Sequence, residues 1–411
     1  MFRSTETANM WRSIDCSNTL SLDIRLGSQT SNQPFVSSFA TSERIEGTVV
    51  VVSENNLSFD NMHICFVGEQ STSIPSNTPN TAHHEFLRLK HSAREIEAAL
   101  PSSKVFKKGV RHEIPFSFVV PDYLTPSACH HADPWVKAAH LHMPPSCGDQ
   151  SIAGFGGKLR DDSAPEACKV IYSIDVKLER PNTISGVQET IMQRRFKVRI
   201  KPAIGDVPLP LPESSDESSL TQERSVHDVA RLSATLEQPS CFYLPLRDPI
   251  RLISKAVRLL LVYSGPSTPP QIKSLRAQII ATTIYTTTPD ASPSYPPPKK
   301  RDFFKRPINF RDVEVSLSIP AIPRLSWSQA ETGKFTSTLL VPVTLPKDVS
   351  FIPTFHSCLM SRVYTLALQI SVKGITEPWK LKAPMLIAAE RDPDALPSYN
   401  ASLGVLDTND A

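Results

Sequence analysis

The sequence predicts an all-β chain with two strand-rich blocks, each suited to a β-sandwich domain. Three observations predict it. Several segments alternate apolar and polar residues with period two, the pattern of half-buried strands. Proline is frequent, at 37 of 411 residues, against a usual ~5%. It cannot donate to a β ladder and so gathers at strand ends and in loops. No regular alternation of strand and helix patterns is present. The length suits two sandwiches and exceeds one compact core.

In the first block, candidate strands lie at Leu20–Leu26, Ile45–Val52 and His63–Val67. Ile114, Phe116, Phe118 and Val120 then share one face. Val170, Tyr172, Ile174, Val176 and Leu178 alternate with Lys169, Ser173, Asp175, Lys177 and Glu179. Phe196, Val198 and Ile200 alternate with Lys197, Arg199 and Lys201, which closes a block at 15–202. Residues 203–239 are expected to be a linker. Its 208–225 stretch is rich in proline, serine and acid, the composition of a solvated connection. A short helix is expected to follow, because Val226, Val229, Leu232 and Leu236 recur at helical spacing. Another helix is expected at Ala93–Leu100.

The second block spans 240–390. Its candidate strands are Val257–Tyr263, the face of Leu275, Ala277, Ile279 and Ala281, and the face of Val313, Val315, Leu317 and Ile319. Phe335–Val343, the face of Tyr364, Leu366, Leu368, Ile370 and Val372, and Leu381–Ile387 complete it. The tail, 391–411, is polar and expected to be disordered.

Composition narrows the function. Net charge is only +3, so no concentrated basic face points to nucleic acid. Seven cysteines, an odd number, are irregularly spaced. There is no apolar leader at the N-terminus and no run of ~20 apolar residues. The expectation is a cytoplasmic protein with reduced thiols, in which the Asn56-Leu57-Ser58 sequon goes unused. No catalytic pattern stands out. Gly154–Lys158 lacks the residues of a phosphate-binding loop. His84-Glu85 is not followed by a second histidine at zinc-protease spacing. A Gly-x-Ser-x-Gly elbow is also missing. The expectation is therefore no enzyme and no cofactor.

The phrase IPFSFVVPDYLTPSACHH (114–131) resembles the N-terminal domain of fungal α-arrestin-type proteins. HLHMPPSCGD (140–149) and ACKVIYSIDVKLERP (167–181) follow in the order of that family. LVPVTLPKDVSFIPTFHSCLMSRVYTLALQISV (340–372) resembles the arrestin C-domain, with Ser361, Arg362, Tyr364 and Leu366 opening its strand. The resemblance covers most of 20–390. It implies two arrestin-like, immunoglobulin-like sandwiches in tandem. It also implies an adaptor between membrane receptors or transporters and a ubiquitin ligase of the HECT type in endocytic trafficking. Such an adaptor works in the cytoplasm, at the plasma membrane or at endosomes. The alternative is a scaffold or coat subunit of endosomal trafficking that recruits no ligase.

Short motifs refine these expectations. Leu396, Pro397 and Tyr399 fit the Leu/Pro-Pro-x-Tyr pattern bound by WW domains, although the usual diproline form is absent. Proline presets the extended polyproline shape and lowers the ordering cost of docking. In 296–307, Lys299, Lys300, Arg301, Lys305 and Arg306 flank Phe303 and Phe304. Contact with an anionic membrane surface, a nuclear-localisation patch and a plain solvated loop all remain open there. Ser214, Ser215, Ser218 and Ser219 flank Asp216 and Glu217 and offer phosphorylation sites on the linker. Finally, Cys129, His130, His131, His140, His142 and Cys147 gather within 19 residues. A zinc set of Cys129, His130 or His131, His140 or His142, and Cys147 can be drawn. The spacing matches no standard zinc module, and no metal is assigned; the bland alternative is a loop insertion with buried cysteine and hydrogen-bonding histidine.

Overall fold

A computed structural model describes residues 20–27, 38–74, 80–149, 162–181, 187–203, 220–226, 230–245, 251–288, 308–319, 324–373, 375 and 377–391. Alternation along the chain becomes strand after strand. In order come β1 (Leu20–Leu26), β2 (Ser38–Phe39), β3 (Arg44–Ser53), β4 (Leu57–Ser58), β5 (Asn61–Ile74) and β6 (Asn80–Lys90). Helix α1 (Ala93–Ala99) follows, where a helix is expected. Then come β7 (Val105–Phe106), β8 (Arg111–Val119), a 3-10 turn (Pro126–Ala128), α2 (Pro134–His140), β9 (Cys168–Pro181) and β10 (Gln188–Ile200).

These strands form the first sandwich. A three-stranded sheet, β1-β3-β8, faces a five-stranded one, β2-β10-β9-β5-β6. The register puts Ile24 opposite Val49 and Val49 opposite Ile114. It puts Phe66 opposite Ile174 and Ile174 opposite Phe196. The inner faces meet in one core that includes Ile45, Ile64, Phe66, Ile114, Tyr172 and Ile174. Burial of each such aliphatic or phenylalanine side chain contributes about 1.5–3 kcal/mol. The expected polar face of β9 is closed to water at its middle, where Ser173 and Asp175 are buried, while Lys169 is exposed. Asp175 is 6% exposed. It accepts hydrogen bonds from Gln193 Nε2 at 2.8 and 3.0 Å. Arg195 bridges it to Glu69 across three strands.

The second half runs β11 (Thr221–Val226), β12 (Ala230–Leu236), β13 (Phe242–Leu244), β14 (Ser254–Ser264), β15 (Ile272–Thr286) and β16 (Ile308–Leu317). It continues β17 (Ser328–Glu331), β18 (Lys334–Thr344), β19 (Phe355–His356), β20 (Met360–Val372), β21 (Trp379–Met385) and β22 (Ile387–Ala389). One sheet is β11-β12-β14-β18-β17; the other is β16-β15-β20-β19, with β21 also paired to β20. Their shared core holds Leu259, Ile279, Val343, Leu366, Trp379 and Leu381. The chain is thus all-β, built as two sandwiches.

Two expectations about 203–239 need correction. The helix expected at 226–236 is instead the strand β12, with Ala230, Leu232, Ala234 and Leu236 buried in alternation. Helical and strand periods share Leu232 and Leu236. The two small alanines, which carry little hydrophobic signal, decide for the strand. The linker is also shorter than expected, because β11 and β12 pair antiparallel and extend the second sandwich at its edge. Residues 204–219, with the four linker serines, lie outside the described residues.

The two sandwiches share a buried junction. Ile352, Phe355 and Met360 come from the second half but belong to the core of the first. In β15, burial alternates to Ala281, and then Thr283 and Ile284 are both buried. There the strand leaves its own core: Ile284 clusters with Ile308 and Val363, and Tyr285 packs against the core of the first sandwich. Polar contacts cross the same boundary. Thr72 Oγ1 donates to the Thr286 carbonyl at 2.6 Å, and Ser357 Oγ donates to Gln70 Oε1 at 2.7 Å. The buried Arg362 donates to the Asp162 carbonyl at 2.9 Å.

Candidate functional site

The Cys/His segment folds against this junction. Val120 leaves β8 and the chain turns through Pro126–Ala128 into Cys129. Asp133 caps α2, its Oδ1 accepting from the Trp135 and Val136 amides at 2.8 and 3.3 Å. Pro134 stands at the first helical position, where its missing N–H costs nothing. The helix ends by delivering His140 inward, 4% exposed. His131 and His140 meet edge to face, ring centroids 4.8 Å apart.

Cys129 Sγ lies 3.1 Å from His131 Nδ1 and 3.7 Å from His140 Nδ1. A fourth donor arrives from the other sandwich. Cys358 Sγ is 3.9 Å from His131 Nδ1 and 3.8 Å from the Ala128 carbonyl. One ligand atom from each of Cys129, His131, His140 and Cys358 lies within 4.8 Å of the others. Cys358 sits at the tip of a tight turn between β19 and β20, closed by the Ser357 amide donating to the Met360 carbonyl at 2.9 Å. Ser357 is in turn held by Gln70.

Three of the four donor residues are buried and His131 is half-buried. Cys129 is 1% and Cys358 6% exposed. Burial, with His131 and His356 nearby, pushes the His140 imidazole down to about 3. Burial, and then Cys129 alongside, pushes the Cys358 thiol up to about 12. Both groups therefore resist charging in the absence of a neighbouring ion. His131 Nε2 is buried and has no hydrogen-bond partner among the described residues.

The set drawn from sequence is thus partly assembled. Cys129, His131 and His140 come together. His130 is exposed. His142 packs against Tyr123 with the rings tilted, centroids 4.9 Å apart. Cys147 is diverted into a β-bridge with Val170, their backbones exchanging bonds of 3.2 and 3.0 Å. Cys358, more than two hundred residues along the chain, takes the place that proximity gave to Cys147. The helix start was findable, because Asp-Pro ahead of an amphipathic stretch signals a capped N-terminus. No local pattern marked Cys358.

The other singled-out residues lie elsewhere. Leu396, Pro397 and Tyr399 are outside the described residues. So are Lys299, Lys300, Arg301, Phe303, Phe304, Lys305 and Arg306, in the connection between β15 and β16, which pair down to Thr286 opposite Ile308. Gly154–Lys158 is outside them as well. A shallow depression near the edge of the second sandwich is lined by Gln222, Arg224, Gln369, Glu377, Pro378 and Lys380. Arg224 and Glu377 pair across it at 3.0 Å, and no nucleophile or histidine is among those six residues. Among the described residues no helix is long and apolar enough to cross a membrane. Comparison of the chain with protein-family models and with curated proteins finds no match to either.

Proposed function

We propose that this chain is a non-catalytic adaptor whose docked sandwiches hold membrane receptors or transporters. Its C-terminal segment offers Leu396, Pro397 and Tyr399 to a WW domain of a HECT-type ubiquitin ligase. The work is then done in the cytoplasm, at the plasma membrane or at endosomes. One observation supports this reading above others: the segments that resemble arrestin-type proteins fall on strands of both of two tandem sandwiches. Residues 114–131 run from β8 into the Cys/His cluster, 167–181 enclose β9, and 340–372 run from β18 to the end of β20. The first and the last meet at the junction, where Cys358 lies against Ala128 and His131. Loops and edges on a rigid scaffold are where such proteins carry their binding surfaces.

The second reading is a scaffold that binds partners along its sheet edges. The all-exposed β17, at the end of its sheet, favours it, since an edge strand offers unpaired backbone groups. Capture from cell extract separates the two. The full chain should retain a HECT-type ligase, and both Tyr399→Ala and deletion of 391–411 should lose it. Equal capture by all three proteins would remove the tail from the account and leave the scaffold.

A further inference from the structure

We propose that Cys129, His131, His140 and Cys358 bind one Zn²⁺ ion, and that this ion fastens the second sandwich to the first. This goes beyond the adaptor reading and does not depend on it.

The donor chemistry comes first. Two sulfurs and two imidazole nitrogens form the Cys₂His₂ set of structural zinc sites. Thiolate and imidazole together suit zinc better than the oxygen-seeking magnesium or calcium ions. Spacing comes second. A tetrahedral ion with bonds of about 2.0–2.3 Å holds its ligand atoms roughly 3.3–3.8 Å apart. The separations here are 3.1, 3.7 and 3.9 Å, and none of the four atoms is more than 4.8 Å from another. Closing the widest of these separations to the tetrahedral range takes a shift of about 1–1.5 Å.

Cys129 Sγ, a weak hydrogen-bonding atom, faces the Nδ1 atoms of two rings at once. The thiol proton can go to only one ring, the other contact then needs that ring's Nδ1–H turned to the sulfur, and His131 Nε2 stays buried with no hydrogen-bond partner among the described residues. A cation satisfies all four donors together, and the thiols release their protons to solvent as it binds. Four protein ligands fill a tetrahedral ion's positions and leave none open. The ion is therefore structural and has no place for a substrate.

Three ligands come from 129–140 in the first sandwich, and the fourth comes from the β19–β20 turn of the second. Neither half holds the full set. Zinc therefore binds the docked arrangement in preference to any separated one, and docking and metal binding reinforce each other. The Ser357–Gln70 contact and the shared core already place the turn, so the ion locks a junction that packing has positioned.

The test uses the full chain, purified with a reductant and without chelators. Elemental analysis should find about one zinc per chain. After zinc is removed, titrated Co²⁺ should give intense visible d–d bands with a thiolate-to-cobalt charge-transfer band, saturating at one equivalent. Cys358→Ser and Cys129→Ser should lose the metal, and Cys241→Ser should keep it. Hydrogen exchange should speed up in the β19–β20 turn and the end of β5 on zinc removal, while the strand centres of both sandwiches stay protected. Absence of both zinc and the cobalt spectrum in the unmodified, reduced chain would overturn the site, whatever the variants do. So would a Cys129–Cys358 disulfide in the reduced preparation. Full metal retention in Cys358→Ser would overturn the clamp, because the ion would then belong to the first sandwich alone.

Discussion

Phe355 gives the sharpest stability prediction. It lies in the second half of the chain, on the short strand β19, yet its ring is 3% exposed within the core of the first sandwich. Phe355→Ala should therefore weaken the junction more than either sheet pair. Truncation of a buried phenylalanine costs about 3–5 kcal/mol, transfer and cavity together. With a urea slope of about 3 kcal/mol/M for a chain of this size, the midpoint should fall by roughly 1–2 M. Trp379, fully buried in the second core, supplies a fluorescence signal for that half. Hydrogen exchange supplies the location: protection should drop around Thr72 and Met360 and persist in the centres of β9 and β14. A loss under about 1 kcal/mol, or one spread evenly over both cores, would refute the claim that the sandwiches share this ring.

Other substitutions probe single features. At Gly68 an added Cβ would lie 2.6 Å from Phe86 and 2.9 Å from Tyr172, so Gly68→Ala should overpack the core and cost about 1–3 kcal/mol in a thermal or urea melt. Tyr172, fully buried, donates its hydroxyl to the Pro144 carbonyl at 2.5 Å; Tyr172→Phe strands that acceptor and should cost about 1–3 kcal/mol by the same assay. His84 gives a pH dependence. Its Nδ1 accepts from Gln70 Nε2 at 2.8 Å, because Gln70 Oε1 is taken by Ser357. Burial, with His130 and His83 nearby, lowers its pKa below 6.5. The unfolded chain then binds more protons than the folded one below about 6.5, so stability falls as pH drops through that value towards the folded pKa. His84→Gln should flatten the fall between pH 7 and 5 in urea midpoints; an unchanged slope would show that other groups carry it.

Much of the fold is legible because a strand with one buried face writes period two into the sequence. β1 coincides with the expected Leu20–Leu26, and β9 carries Val170 to Leu178 inward as read. β6 was not picked out. His83, His84 and Glu85 blur its alternation, and only Phe86 and Leu87 are buried. β12 was misread because alanine fills a core position without signalling it. The Cys/His cluster was half legible. Cys129, His131 and His140 sit close in sequence, and proximity suggested Cys147 as the fourth member. Backbone pairing with Val170 commits Cys147 elsewhere, and only the docking of two sandwiches brings Cys358 near. Tertiary convergence of that kind leaves no local mark.

The most direct test of the adaptor account is titration of the full chain against an isolated WW domain from a HECT-type ligase, followed by heat or fluorescence anisotropy. Binding should be saturable and one-to-one, on the order of micromolar as expected of a four-residue motif that buries little area on its partner, and should disappear in Tyr399→Ala. Absence of binding, or equal binding by Tyr399→Ala, would contradict it.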